Sequence, residues 1–247
     1  MIKITENFDE YNFVCFEDDI FFQRIYSDYR TLSCFKDAMF YVCEENNEVT
    51  AVISKVGATI TISAKENAQF DEINEFAKVI GFATILCENK FSSYFDGKKT
   101  SGSILKIRCD TKQNSKADRL YAENLTDMHK LIKSVFDIEP EFADWFADMC
   151  HLMRHGAAKF CGVYSDEVLV SAGFSLFTTQ KSAVISSVAT HEDFRHKGYG
   201  KEVIKFLISE NYGRDVYVFT ENVKTENWYK NMGFVPYKKW SEIENVL

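Results

Sequence analysis

The chain has 247 residues, 46% of them hydrophobic, which is enough for one large domain or for two of ordinary size. Its 37 acidic residues outnumber its 29 basic ones, and the resulting formal net charge of −8 argues against a surface that binds nucleic acid or an acidic membrane. The sequence shows neither a secretory signal pattern nor an apolar run of the roughly 18 residues that span a bilayer, so we expect a cytoplasmic protein.

The first half contains a recognisable run of strands and one helix. Residues 40–64, "FYVCEENNEVTAVISKVGATITISA", predict three strands joined by turns. The helical period of residues 70–81 follows, and then the strand pattern of residues 82–88. Residues 109–118, "CDTKQNSKAD", are polar and aperiodic, which predicts a linker and divides the chain into domains 1–115 and 116–247.

The second half has a similar order of elements. Two amphipathic helices are predicted first, then three strands, and then alternating helices and strands. The predicted helices are 123–136, 139–156, 201–210 and 224–232, and the predicted strand regions are 159–190, 215–221 and 233–240.

The cysteines and histidines do not form a metal-binding pattern. The seven cysteines are scattered and never occur as C-x-x-C, which indicates reduced thiols instead of a disulfide framework or a zinc site. His151 and His155 lie one helical turn apart beside Cys150, but no third ligand is convincingly placed, so we expect no bound metal.

The junction "RHKGYG", residues 195–200, joins the strand "AVISSVAT" to a helix. A glycine-containing turn into a helix leaves several backbone N–H groups unpaired at the positive end of the helix dipole, an arrangement that binds phosphate. Arg195, His196, Lys197 and Lys201 add positive charge. Because the turn follows a meander and lacks Lys-Ser or Lys-Thr after its last glycine, it fits neither a dinucleotide fold nor a Walker A loop. The alternative is an ordinary basic turn.

Residues 195–200 resemble the Q/R-x-x-G-x-G/A signature of the GNAT N-acetyltransferases. A second stretch, "NVKTENWYKNMGF" at 222–234, is similar to the N-x-x-A-x-x-L-Y-x-x-L-G-F pattern of that family, although Thr225 and Trp228 depart from it. His196 stands where glycine is common, and His191 where proline is. The resemblance covers roughly residues 116–247. The N-terminal part looks like the degenerate, non-catalytic domain of tandem members, since "KENAQF" at its equivalent junction has no glycine.

The resemblance implies an α/β (α+β) fold, with a mixed, mostly antiparallel sheet flanked by helices, in two tandem domains. It also implies direct transfer of acetyl from acetyl-CoA to a primary amine of a small molecule, peptide or protein. Tyr229 would be the acid that protonates the departing thiolate. The residues expected to bind acetyl-CoA are Val188, Ala189 and Thr190, through main-chain pairing with the pantetheine arm, Arg195, His196, Lys197, Gly198, Tyr199, Gly200 and Lys201 around the pyrophosphate, and Asn222.

The sequence does not identify a general base. The strand "AVISSVAT" offers only Ser186 and Ser187, so Glu139, Glu141 or Glu221 would act through water, or the amine would arrive neutral. Carboxylates at a helix start are also favoured by the dipole alone.

Several functional alternatives remain open at this point. The chain could hold acetyl-CoA without turnover, as a sensor or scaffold, or it could use a different acyl group. The aromatic set Phe142, Trp145 and Phe146 fits either a core or an acceptor pocket. A monomer and a homodimer are both compatible with the sequence.

Overall fold

The computed structural model describes residues 1–136 and 141–246. The chain forms two compact units. The first comprises Met1–Leu105, Phe219–Lys230 and Val235–Leu247, and the second comprises Lys106–Val218 and Asn231–Phe234. The last strand belongs to the first unit because it pairs with a strand of that unit, Trp240 opposite Glu88. The boundaries of the compact units therefore differ from the predicted domain boundary between residues 115 and 116. The division into domains 1–115 and 116–247 stays a prediction.

The secondary structure has the predicted α/β character, with mostly antiparallel strands. The helices are α1 (Ile20–Leu32), α2 (Phe70–Ile80), α3 (Leu125–Val135), α4 (Phe142–Arg154), α5 (Tyr199–Glu210) and α6 (Val223–Lys230). The strands are β1 (Ile2–Ile4), β2 (Ala38–Glu45), β3 (Glu48–Val56), β4 (Thr59–Ala64), β5 (Thr84–Glu88), β6 (Lys98–Arg108), β7 (Asp118–Leu120), β8 (Lys159–Ser165), β9 (Val168–Leu176), β10 (Ser182–Thr190), β11 (Asp215–Thr220) and β12 (Val235–Glu244).

Each unit contains the same supersecondary pattern. In the first, β2, β3 and β4 form an antiparallel meander, α2 follows, and β5 pairs parallel to β4. In the second, β8, β9 and β10 form the meander, α5 follows, and β11 pairs parallel to β10. The similar order of elements in the two halves is therefore confirmed.

Helix α1 and strand β6 were not predicted from the sequence. The buried face of α1 carries Gln23, Ser27, Asp28 and Thr31 beside its apolar residues, and these polar side chains hide the helical period. Strand β6 begins with the polar stretch "KKTSGS", which lacks the alternation of a half-buried strand.

The predicted linker is irregular, but it is not a free spacer. It lies along α5, within the second unit. The Gln113 N–H donates to Ser209 Oγ at 2.7 Å, and the Lys116 N–H donates to Glu202 Oε2 at 2.9 Å. Between them, Ser115 Oγ donates to the Glu202 carbonyl at 2.7 Å. These bonds hold the segment against α5 near both ends of the helix.

An ionic network ties the end of β4 to its neighbours in the first unit. The β4–β5 ladder ends at Thr61 opposite Leu86, and Ser63 lies beyond it. Ser63 Oγ donates to Asp19 Oδ2 at 2.5 Å, and Lys238 Nζ lies 2.9 Å from both Asp19 Oδ1 and Glu88 Oε2. Burial works to lower the pKa of Lys238, but the two carboxylates outweigh it and the pKa is raised.

We expect Lys238→Met to lower the free energy of unfolding by about 2 kcal/mol, because it leaves two largely buried carboxylates without their shared cation. Urea denaturation at pH 7 measures this change. Lys98→Met is the matched control, since Lys98 pairs with Glu244 at the surface and such pairs contribute about 0–1 kcal/mol. Equal losses in the two variants would show that the network does not stabilise the first unit.

Candidate functional site

Strand β10 has an edge that β11 does not cover. The β10–β11 ladder runs from Ser182 opposite Asp215 to Ile185 opposite Val218, whereas β10 continues to Thr190. On its other side β10 pairs with β9, with a register shift between Ser186 and Ala189. Ser187 has φ of +49° within this bulge. A bulge bends the strand and increases its local twist, so the end of β10 diverges from the direction set by its first residues.

Alternation along β10 determines which main-chain groups face that edge. The His191 N–H donates to the Val170 carbonyl of β9 at 2.9 Å, so the main chain of Ala189, two residues earlier, also faces β9. Consistent with this, the Ala189 carbonyl accepts from Ser171 Oγ at 3.0 Å. The main chain of Val188 and Thr190 therefore faces the opposite edge. Of the three predicted pantetheine-pairing residues, these two have the required orientation.

Arg195 already uses one acceptor on this edge. Its Nε donates to the Thr190 carbonyl at 3.2 Å. This bond ties the start of the "RHKGYG" junction to the end of β10. The remaining groups that an added strand could use are the N–H and carbonyl of Val188 and the N–H of Thr190.

The backbone of the junction requires a left-handed residue directly before α5. Gly198 is the N-cap, with φ of +87°. The first intrahelical bonds are those from the Lys201 and Glu202 N–H groups to the Gly198 carbonyl. The N–H groups of Gly198, Tyr199 and Gly200 therefore lie before the first N–H group that donates within the helix. A Cβ at Gly198 would meet nothing within 4 Å, so the backbone angle, and not crowding within the protein, demands glycine there. That open space lies beside amides at the positive end of a helix dipole.

His196 also adopts a left-handed conformation, with φ of +63°. This angle is the physical reason why glycine suits the position in sequences of the resembled pattern. Histidine is one of the residues enriched there among non-glycine residues, at a cost of order 1 kcal/mol.

The junction is exposed and positively charged. Arg195, His196, Lys197 and Lys201 are all exposed, and Lys197 Nζ lies 4.7 Å from the centre of the Phe194 ring. Glu202 is the acidic residue in the first turn of α5, and the hydrogen bond from Lys205 lowers the pKa of its carboxyl group. That charge is paired with Lys205 at 2.8 Å, so it offsets the basic residues of the junction only in part.

Gly173 on β9 allows close packing beside the end of β10, and it was not among the site residues predicted from the sequence. A Cβ at this position on β9 would lie 2.9 Å from a Val203 methyl group of α5 and 3.1 Å from a Val188 methyl group. The missing side chain therefore lets α5 and the bulged part of β10 pack closely against β9. A glycine inside a strand pattern is the signal that could have identified it.

Tyr229 and Asn222 belong to the first unit. Asn222 Oδ1 accepts from the Thr225 N–H at 2.9 Å, so this side chain caps α6. Tyr229 is buried on α6, and its burial raises the pKa of the phenol. The phenol is therefore protonated at neutral pH, as the predicted acid must be. The predicted contacts of both residues with acetyl-CoA stay predictions.

The candidate bases occupy different positions. Glu141 is the exposed N-cap of α4, Glu221 is exposed in the first unit, and Glu139 lies outside the described residues. Ser186 Oγ and Ser187 Oγ lie 3.4 Å apart on β10.

Within residues 1–136 and 141–246, no three His, Cys, Asp or Glu side chains are grouped as metal ligands. Over the same ranges, no helix is long and apolar enough to cross a membrane.

Comparisons with known proteins agree with this architecture. Residues 118–234 match the family model described as "Acetyltransferase (GNAT) family". No curated protein matches the sequence. A GNAT-family acetyltransferase from Colwellia psychrerythraea is similar over 99% of both chains, with a TM-score of 0.58 and 11% identity.

Two further solved structures share the fold. A tandem GNAT protein from the clavulanic acid biosynthesis pathway is similar over 99% of this chain and 98% of its own, with a TM-score of 0.57 and 10% identity. A GCN5-related N-acetyltransferase from Kribbella flavida is similar over 80% of this chain and 87% of its own, with a TM-score of 0.59 and 9% identity. At these identities the structural similarities show the fold alone. Residues 118–234 thus match the model of the GNAT acetyltransferase family, and the solved structures show that the chain shares the fold of such acetyltransferases.

Proposed function

We propose that the protein transfers acetyl from acetyl-CoA to a primary amine of a small molecule or peptide. The observation that carries the proposal is the arrangement at the end of β10. The edge of β10 at Val188 and Thr190, which β11 does not cover, is followed, after a short turn at Glu192–Phe194, by the exposed basic N-terminus of α5. The first feature suits the amide-containing pantetheine arm, and the second suits the pyrophosphate, in the order in which those groups are joined in coenzyme A.

The chemistry is a direct transfer. The amine nitrogen gives up a proton and its lone pair bonds to the acetyl carbon, while the C–S bond breaks and leaves its electron pair on sulfur. The thiolate then takes a proton, so the products are an amide and free coenzyme A. We assign the donor hydrogen bond to the departing sulfur to Tyr229. Burial keeps its phenol protonated, and transfer of that proton to the thiolate, whose thiol has a pKa near 8.5, is uphill. Tyr229 therefore stabilises the thiolate as a hydrogen-bond donor, and the thiolate takes its proton from solvent water.

One observation favours a second function, in which acetyl-CoA is bound without turnover. The uncovered part of β10 carries Ser186 and Ser187 and no carboxylate, so this strand supplies no ready base for the acceptor ammonium. A sensor or scaffold needs the binding features alone.

A thiol-release assay distinguishes these functions. Acetyl-, propionyl- and succinyl-CoA are each incubated with the protein, with and without a panel of primary amines. The proposal predicts that amines accelerate thiol release from acetyl-CoA most strongly. Tight binding of acetyl-CoA with no amine-dependent release would favour the sensor, and faster release from a larger acyl-CoA would correct the acyl group.

A further inference from the structure

The last turn of α4 holds two histidine rings side by side. His151 and His155 are four residues apart, and the His155 N–H donates to the His151 carbonyl at 3.1 Å, so helical hydrogen bonding continues through both residues. The centres of the two rings lie 4.4 Å apart, with 37° between the ring planes. The helix backbone therefore keeps both side chains on one face.

The two rings are open to solvent. His155 is exposed and His151 is half-buried, so an ion in solution can reach the pair without any opening of the fold. A neutral imidazole has one nitrogen with a free lone pair and one that carries hydrogen. Each ring can therefore bind a metal through the first nitrogen while the second donates a hydrogen bond.

The distance between the rings suits a shared metal ion. A metal bound to two imidazole nitrogens at about 2.0–2.1 Å each brings those nitrogens to about 3 Å from each other. Rings with centres 4.4 Å apart reach that separation by small side-chain rotations, and no change of backbone is needed. Two histidines at this spacing on one helix are also the zinc-binding pair of the H-E-x-x-H motif.

The charges around the pair favour a cation. The C-terminal end of a helix is the negative end of its dipole. Asp144 and Asp148, seven and three residues before His151, are exposed on the same face of α4. The opposing charge on this helix is Arg154, and its Nε donates to the Cys150 carbonyl at 3.2 Å, which holds it beside the next face.

Two ligands define the kind of site. Within residues 1–136 and 141–246 no third His, Cys, Asp or Glu joins a metal-binding group, so water must fill the remaining positions and the ion must exchange readily. Imidazole nitrogen suits Ni²⁺, Cu²⁺ and Zn²⁺, whereas Mg²⁺ and Ca²⁺ prefer oxygen ligands.

We propose that His151 and His155 together bind a divalent ion of the late first transition row, Ni²⁺, Cu²⁺ or Zn²⁺, with water completing its coordination. The expectation from sequence was that the missing third ligand excludes a metal. The contact between the two rings changes this expectation, because a preformed pair binds an exchangeable ion without a third side chain. The site uses no residue of α5 or β10, so it does not depend on the proposed acetyl transfer.

Calorimetric titration with NiCl₂ on matched variants tests the assignment. Cys15 and Cys34 are exposed thiols that also bind nickel, so every protein compared carries serine at both positions. We expect one ion per chain, with affinity at least tenfold weaker in His151→Gln and in His155→Gln. His191→Gln is the control, since His191 is partly exposed and has Asp193 Oδ2 at 3.7 Å from its Nδ1, and its affinity should change less than twofold. MgCl₂ should give no binding heat.

A second measurement uses the unaltered protein, so it does not depend on the folding of any variant. In a carbon-proton correlation spectrum, Ni²⁺ below one equivalent should broaden the ring signals of His151 and His155 before those of the other three histidines, since the ion is paramagnetic. Earlier broadening at another histidine would overturn the inference. Nickel affinity within twofold of the starting value in His155→Gln would overturn it as well, whatever acetyl-CoA binding shows.

Discussion

Gly198→Val should weaken acetyl-CoA binding by at least 100-fold. Gly198 has φ of +87°, a conformation that a β-branched residue adopts only under strain, so the substitution displaces the amides at the start of α5. Each hydrogen bond to a charged group contributes roughly 1.5–3 kcal/mol, and tenfold in affinity corresponds to about 1.4 kcal/mol. Loss of one or two such bonds therefore gives the expected change. Calorimetric titration with acetyl-CoA measures it.

Gly213→Val provides the matched control for this variant. Gly213 has φ of +78°, also with open space around its Cβ position, and it follows the opposite end of α5. We expect the two substitutions to lower the free energy of unfolding by similar amounts, since the backbone strain is similar. Only Gly198→Val should lose affinity. Similar losses of affinity in both variants would mean that the junction does not bind the cofactor and that general destabilisation explains the result.

Tyr229→Phe should lower kcat by about 100-fold and leave the acetyl-CoA Kd within twofold. The substitution removes the hydroxyl that we assign to the departing sulfur, and removal of one hydrogen-bond donor to a developing anion typically lowers kcat about 10²–10³-fold. The ring is buried and phenylalanine keeps its volume, so packing should change little. Steady-state kinetics with an accepted amine, together with calorimetry, separate the two effects.

The pH profile gives a second readout for Tyr229. Burial raises the pKa of the phenol above its ordinary value near 10, and the protonated form, which is the form needed here, is present below that pKa. Tyr229 should therefore cause no loss of kcat between pH 7 and about 10. Tyr212→Phe, at an exposed position after α5, is the control for kcat. Unchanged turnover in Tyr229→Phe would remove this residue from the mechanism.

Local sequence patterns predicted the elements around the candidate site well. The strands β8, β9 and β10 are short, largely apolar runs bounded by turn residues, and α5 has a helical period. The basic glycine junction could be placed between them because turn chemistry depends on a few adjacent residues.

Pairings between distant residues could not be predicted in the same way. Strand β12 pairs with β5, so Trp240 lies opposite Glu88, and no local pattern encodes such a partner. The bulge at Ser187 also lacks a sequence signal, since serine is an ordinary strand residue and the register shift arises from pairing with β9.

Buried polar residues account for the other omissions. Asp28 and Thr31 lie on the buried face of α1 and interrupt its apolar pattern. His129 lies on the inner face of α3 between apolar neighbours, and its Nε2 has no hydrogen-bond partner among the described residues, which sequence alone does not indicate. Only the packing of α3 against α4 shows what surrounds it.

Calorimetric titration of the unaltered protein with acetyl-CoA tests the central claim most directly. The two units share the strand–helix–strand pattern, but only the second has the glycine junction before its crossover helix. We therefore predict micromolar binding with one acetyl-CoA per chain. Absence of binding would contradict the proposed site, and two equivalent sites per chain would contradict its assignment to the α5 junction.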